Sequence, residues 1–395
     1  MVESFQPTTL CCIHHEEKIL AKKVKIDIPK SAFEIKANWQ KEPDRQTVQE
    51  ILQWIRDGNP SYLWRGHTHT KPQANSTIVF IGEFCMPESL AEDQNNWYPC
   101  PCCNWDKPQF KGKEDRPGMI AWFPEEHVIR LIGHDCFTKL NPEGYKIAKE
   151  NWKKQKELRG NIYYISQNFH LIPRFEVAIQ KNLAIAKALD HFYRLFHLKI
   201  KSLNLHAAIK EISSGNLMLN VENVTLVKQA DGSETFHNTL TRERYSSFDG
   251  KEMLEKDRKL IEPKLLEALS LLESAKTHLE ALNGDTNIEN YSEVKKIVSA
   301  FTKAVRTSEE AMKDLQALKK FLGPITLNTI YAWGAHKQVP VNLYLSRENN
   351  KFFIGTEKSK SVSIKISPKL EEPIIRLPQI SPKENQLYNQ VVNQN

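Results

Sequence analysis

Two apolar stripes dominate the second half of the chain. Ile261, Leu265, Ala268, Leu272, Ala275, Leu279 and Leu282 recur at alternating steps of four and three, and Val294, Val298, Phe301, Val305, Ser308, Met312 and Leu315 repeat that spacing. This alternation keeps one side chain per turn on a single helix face, the a/d seam of a coiled coil. Asn283-Gly284-Asp285 lies between the seams, and a short polar link folds two such helices back on one another. The pattern predicts an antiparallel coiled-coil helical hairpin over 251–323, closed by Gly323-Pro324, with Pro263 kinking or delaying its first turn.

The remaining elements are shorter. Val48, Ile51, Leu52 and Ile55 have helical spacing, stopped by Asp57-Gly58-Asn59-Pro60, and "STIVFIGEF" at 76–84 reads as a strand. From 142 to 212 the chain is largely helical, with breaks expected at Gly160 and Pro173. Ala230-Asp231-Gly232-Ser233 between two alternating runs signals a β-hairpin. "VPVNLYL", "KFFIG" and "SVSIKI" predict a small β unit, with "NTIYAWGAH" packed on it. The stretch from 367 is rich in proline, asparagine and glutamine and poor in large apolar residues, which predicts disorder. Together these give an α+β chain: an N-terminal α+β unit over 1–96, a cysteine-rich module over 97–142, a basic helical segment with a β-hairpin over 143–250, the helical hairpin over 251–323, the β unit over 324–366 and a tail over 367–395.

Composition narrows this picture. A chain of 395 residues exceeds one average domain, and no uncharged apolar run approaches the ~18 residues of a membrane span. Its start lacks the basic and apolar regions of a secretory leader, so a cytoplasmic location is expected. Seven cysteines, two of the pairs adjacent in sequence, make poor disulfide material and fit reduced thiols. Four of them fall within "WYPCPCCNW" at 97–105 and "RLIGHDCF" at 130–137.

Cys100 and Cys103 have the C-x-x-C spacing that lets two thiolates at a tight turn reach one ion, and His134 and Cys136 are the nearest residues able to complete a tetrahedron. "GMIAWF" and "HVIRLIG" between the pairs predict a hairpin, and a helix follows. This order of knuckle, hairpin and helix resembles a treble-clef zinc finger over roughly 97–142. The resemblance implies a structural zinc ion held by Cys100, Cys103 and Cys136. His134 departs from the pattern, because one residue rather than two separates it from Cys136, and Cys85 and His127 are the substitutes. A plainer reading is a group of buried thiols beside a β-hairpin. A closed four-ligand site leaves no position for a reactive water and argues against catalysis there.

Other clusters are weaker. Cys11, Cys12, His14 and His15 are ligand types without partners at a standard spacing. His67 and His69 share one face of a strand and, with Glu83 or Asp93, would suit a metal-dependent hydrolase or nuclease. No Gly-rich phosphate loop, nucleophile elbow or H-E-x-x-H motif occurs. The formal charge of +7 is mild, but residues 139–210 hold fourteen Lys/Arg against five Asp/Glu. Within them Lys153, Lys154, Lys156 and Arg159 crowd beside Trp152, a combination suited to phosphates and base stacking. The expectation is therefore a non-enzymatic, zinc-stabilised interaction protein that binds nucleic acid through that face, with a protein partner or a second copy on the helical hairpin. The rivals are the His67/His69 hydrolase and a scaffold without a nucleic-acid ligand.

Overall fold

The computed structural model describes residues 25–93, 96–114, 116–229, 233–282 and 288–382. The chain divides into two compact units between Lys156 and Glu157. The boundaries expected at 96 and 142 lie inside the first, and those at 250, 323 and 366 inside the second. Cys11, Cys12, His14 and His15 lie outside the described residues, as do the turn residues 230–232 and the link 283–287.

In the first unit, helix α1 (Arg45–Arg56) starts where Asp44 accepts hydrogen bonds from the Thr47 amide at 2.8 Å and its hydroxyl at 2.7 Å. This side-chain cap satisfies an amide that has no acceptor within the helix. The strands are β1 (Val79–Phe84), β2 (Tyr98–Pro99), β3 (Pro108–Phe110), β4 (Gly118–Phe123) and β5 (Val128–Ile132). The antiparallel sheet runs β1-β4-β5, and β2 and β3 pair separately. Ile51 and Ile55 of α1 share one core with Trp64, Ile81, Phe84, Ile120, Ile129 and Leu131. All five residues of β5 are buried, Arg130 included, because residues 67–70 run alongside it, with the Thr68 amide donating to the Ile129 carbonyl at 3.3 Å.

Helix α2 (Pro142–Asn168) passes through Gly160 without interruption. A glycine inside a helix costs about 1 kcal/mol, and the buried Leu158 and Tyr164 on either side offset it. The break falls instead at the 3-10 turn Phe169–Leu171, after which Pro173 sits in the first turn of α3 (Ile172–Ser202), where its missing N–H is no loss.

The second unit continues with α4 (His206–Ile212), the ribbon of β6 (Asn216–Lys228) and β7 (Glu234–Ser247), α5 (Ile261–Ala281), α6 (Tyr291–Phe321), α7 (Pro324–Gly334) and an antiparallel sheet ordered β10-β9-β8, from β8 (Tyr344–Glu348), β9 (Lys351–Gly355) and β10 (Ser361–Lys365). Pro263 is tolerated in the first turn of α5, whose leading amides are capped from outside the helix. The buried Asp190 of α3 accepts from the Ile261 amide at 3.1 Å and the Glu262 amide at 2.7 Å. Leu265, Leu272, Phe301 and Leu315 are fully buried. They do not meet only one another. Both helices join a single core with α3, α7 and the C-terminal sheet, and Phe301 packs on Tyr164, Phe169 and Phe175.

The segment expected to be disordered is ordered as far as it is described. Leu370 is buried, and Ile374, Leu377 and Ile380 pack on the core. Two buried asparagines hold the backbone: Asn182 Oδ1 accepts from the Ile375 amide at 3.0 Å and Asn168 Oδ1 from the Ser381 amide at 2.8 Å.

Candidate metal centre

Cys100 leaves the short strand β2 and enters a turn closed by the Cys103 amide on the Cys100 carbonyl, at 3.1 Å. This turn carries both side chains to one side. Cys136 opens the 3-10 helix Cys136–Lys139 after β5, its amide donating to the Gly133 carbonyl at 3.1 Å. The three sulfurs lie within 4.8 Å of one another. Gly133 is part of the construction. Its amide donates to Cys100 Sγ at 3.4 Å, and a Cβ at that position would lie 2.5 Å from Cys136 Sγ. Any side chain there would push Cys136 out of the cluster.

Crowding decides the proton positions. Burial pushes the Cys100 thiol far up, and contacts with Cys102 and Cys103 push it further. Cys136 is raised by its contacts with Cys100 and Cys103 and by burial. Cys103 moves the other way: hydrogen bonds from the Cys100 and Cys136 thiols pull it well down, helped by the nearby charges of Lys139 and Lys71. The three thiols therefore titrate as one coupled group. A divalent cation at the centre would deprotonate all three, since it is the largest local charge.

The expected fourth ligand stands apart. His134 is not in the group of three. Its Nε2 lies 3.4 Å from Lys149 Nζ and 3.9 Å from Asp135 Oδ1, so that nitrogen is turned toward α2 and the Asp135 carboxylate, while Nδ1 is buried without a hydrogen-bond partner. Cys85 and His127 are outside the group as well. Burial pushes the Cys85 thiol up to about 11, with Glu114 and Glu83 adding to the effect. Cys102 is buried beside Cys100 but is not one of the three. Sequence reasoning missed Gly133, Lys71 and Lys139. The glycine at the start of "GHDC" and Lys139, three residues after Cys136, were usable signals; Lys71, brought in by the fold, was not.

His67 and His69 do not form an open site. The Leu131 amide donates to His67 Nδ1 at 3.2 Å, which puts the His67 proton on Nε2, 3.1 Å from His69 Nδ1. Both rings are buried. Burial holds His67 well below its usual range, with His69 and Arg130 acting in the same direction, and brings His69 to about 4, partly offset by the Trp105 backbone. With the His67 proton directed at His69 Nδ1, the His69 proton lies on Nε2, so the neutral pair offers no free lone pair to a metal. Glu83, the carboxylate considered for that site, is bonded elsewhere.

Its partners are two residues expected to contact nucleic acid. Trp152 is buried and donates from Nε1 to Glu83 Oε1 at 2.7 Å, and Lys156 Nζ reaches the same carboxylate at 2.9 Å and 3.1 Å. The indole fills the α2 contact with β1 and offers no stacking face. Lys153, Lys154 and Arg159 are exposed. Among the described residues, no helix is long and apolar enough to cross a membrane. Comparison with family models, curated proteins and solved structures finds no match for this chain.

Proposed function

We propose that Cys100, Cys103 and Cys136 hold a structural zinc ion and that the protein is a non-enzymatic, zinc-stabilised interaction protein. The observation that carries this reading is the convergence of three sulfurs from two separate stretches of chain. Thiolates suit soft or borderline ions, and zinc takes tetrahedral sulfur sites without redox chemistry. His134 is our choice for the fourth ligand, because its Nδ1 is buried, lacks a partner and lies two residues from Cys136. A site so closed has no place for a substrate. The β4-β5 hairpin between the ligand pairs supports the treble-clef likeness, while the position of Cys136 in a 3-10 turn ahead of α2 departs from it. The test is metal content. The purified protein is expected to carry about one zinc ion per chain, lost in Cys100→Ser and Cys136→Ser with a large drop in melting temperature, since structural zinc contributes on the order of 10 kcal/mol in small fingers. A metal-free wild type that melts like the variants overturns the reading.

As the ligand we propose nucleic acid at the exposed lysines of α2. What supports this is the charge excess of 139–210 together with the exposure of Lys146, Lys153 and Lys154. Binding should weaken steeply with salt through counterion release. It should vanish in the double variant Lys153→Glu, Lys154→Glu. A wild type that binds neither DNA nor RNA at low salt refutes it.

A further inference from the structure

The seams of α5 and α6 are spent on the protein's own core, so they offer no surface to a partner. A different apolar face is uncovered. In the β6-β7 ribbon Glu222 pairs with Leu240, Val224 with Asn238, Leu226 with Phe236 and Lys228 with Glu234. Residues opposite one another in an antiparallel ladder, and those two apart along each strand, share a face. That face therefore collects Val224, Leu226, Phe236 and Leu240, which are 58%, 48%, 74% and 63% exposed. The other face carries one exposed apolar side chain along the free part of the ribbon, Val227 at 43%, and is otherwise polar and bonded within the ribbon: Asn223 donates to the Thr241 hydroxyl at 2.8 Å, and the Thr225, Thr239 and Thr241 hydroxyls donate to backbone carbonyls across the ladder. An amphipathic two-stranded ribbon with its apolar side in water is marginal on its own. Four neighbouring apolar side chains left in water mark a contact surface.

The charges around the patch select the occupant. Glu222, Lys228, Glu234 and Arg242 cancel, whereas a nucleic acid or an anionic membrane calls for a basic border. The border is instead complementary to itself. When a second ribbon is laid face to face, turned about a twofold axis that crosses the strands at the Val224 row, Val224 meets Val224 of the other copy and Phe236 meets its Leu240. The same operation sets Glu234, which pairs with Lys228 in its own chain, against Arg242, which pairs with Glu211; it brings Lys228 beside Asn220 and near Glu222, and lays Leu226 along the aliphatic stem of Glu222. No like charges face one another.

We propose that the protein forms a twofold homodimer through the apolar face of the β6-β7 ribbon. The interface is isologous, as closed dimers require. A ribbon of this length, about 30 Å, falls at or below the roughly 1,200 Å² lower end of standard interfaces, so the dimer is weak and dissociates on dilution. Sedimentation velocity of the full chain over a dilution series in the micromolar range should show a reversible monomer–dimer equilibrium. Phe236→Asp should weaken dimerisation by at least about tenfold with unchanged circular dichroism and zinc content, and Thr239→Asp on the opposite face should leave it intact. With wild type as background, Val224→Cys treated with diamide should give a disulfide-linked dimer and Thr225→Cys should not. A wild type that stays monomeric at every concentration overturns the proposal, as does a dimer that survives Phe236→Asp. Binding of RNA or anionic vesicles by a monomeric wild type, lost in Phe236→Asp, would assign the face to that partner instead.

Discussion

His67 shows how a single side chain can look catalytic in sequence and be structural in the fold. A pair of histidines two apart is read as two free ligands only while the neighbouring backbone is unknown. The Leu131 amide, sixty-four residues away, takes the nitrogen that a metal would need. His67→Ala should leave that buried amide unsatisfied and cost about 1–3 kcal/mol, measured by denaturant unfolding, without changing metal content. Acid should act on the same pair. Both histidines are depressed below the usual 6.5, so the unfolded chain binds protons that the folded chain does not. Their contribution is complete above pH 6.5 and is lost as pH falls toward about 4, where His69 titrates in the folded state. The stability advantage of wild type over His69→Gln should therefore shrink across that window; an advantage that stays constant would show that the rings are not buried as neutral groups. At the proposed zinc site, His134→Ala should weaken metal binding by more than the roughly tenfold to hundredfold loss that follows removal of an outer-shell partner, while Cys85→Ser should have no effect. Cobalt substitution distinguishes the two, because a sulfur-nitrogen tetrahedron and a three-sulfur site with water differ in visible absorption.

At the scale of elements, periodicity was legible and context was not. The four-three spacing locates α5 and α6, and alternation locates β6, β7 and the C-terminal strands, because these patterns record which side of an element is buried. They do not record what covers it. The same seam that reads as a free-standing pair of helices serves a core shared with α3 and three strands. Leu272→Asp should still cost several kcal/mol, since a carboxylate would be buried without a partner. The isolated fragment 251–322 should be less helical by circular dichroism than these residues are in the full chain, because Phe301 loses its contacts with Tyr164, Phe169 and Phe175. Helix α2 gives the converse case. Trp152 and Lys156 sit in a run of lysines that reads as one solvated face, yet the turn of the helix points both at Glu83. Lys156→Glu should lower the stability of the first unit by roughly 1 kcal/mol, whereas Lys153→Glu and Lys154→Glu should each stay within about 0.5 kcal/mol. Equal effects at the three positions would contradict the packing of α2 on β1.

Over the whole molecule, the largest difference between sequence and structure lies in the segment after Ile366. Low apolar content makes this stretch look unable to order itself, and that inference holds for a segment that must build its own core. Here it only completes one. The fold supplies two buried asparagine side chains whose amide groups imitate a β-strand edge: Asn182 bonds both backbone groups of Ile375, donating to its carbonyl at 2.8 Å, and Asn168 does the same for Ser381, donating to its carbonyl at 3.4 Å. Each Nδ2 also donates within its own helix, to the Tyr164 and Ala178 carbonyls, which fixes the orientation of the amides before the segment arrives. Sequence alone hides this, because the two asparagines lie about two hundred residues from what they hold. Amide hydrogen exchange reads the outcome directly. The Ile375 and Ser381 amides should be protected in the native full chain, and Asn182→Ala should release Ile375 more than Ser381. Truncation after Ile366 should lower the stability of the second unit by about 2 kcal/mol or more, the value of uncovering one buried leucine such as Leu370. Immediate exchange at both amides would mean that the segment is not bound.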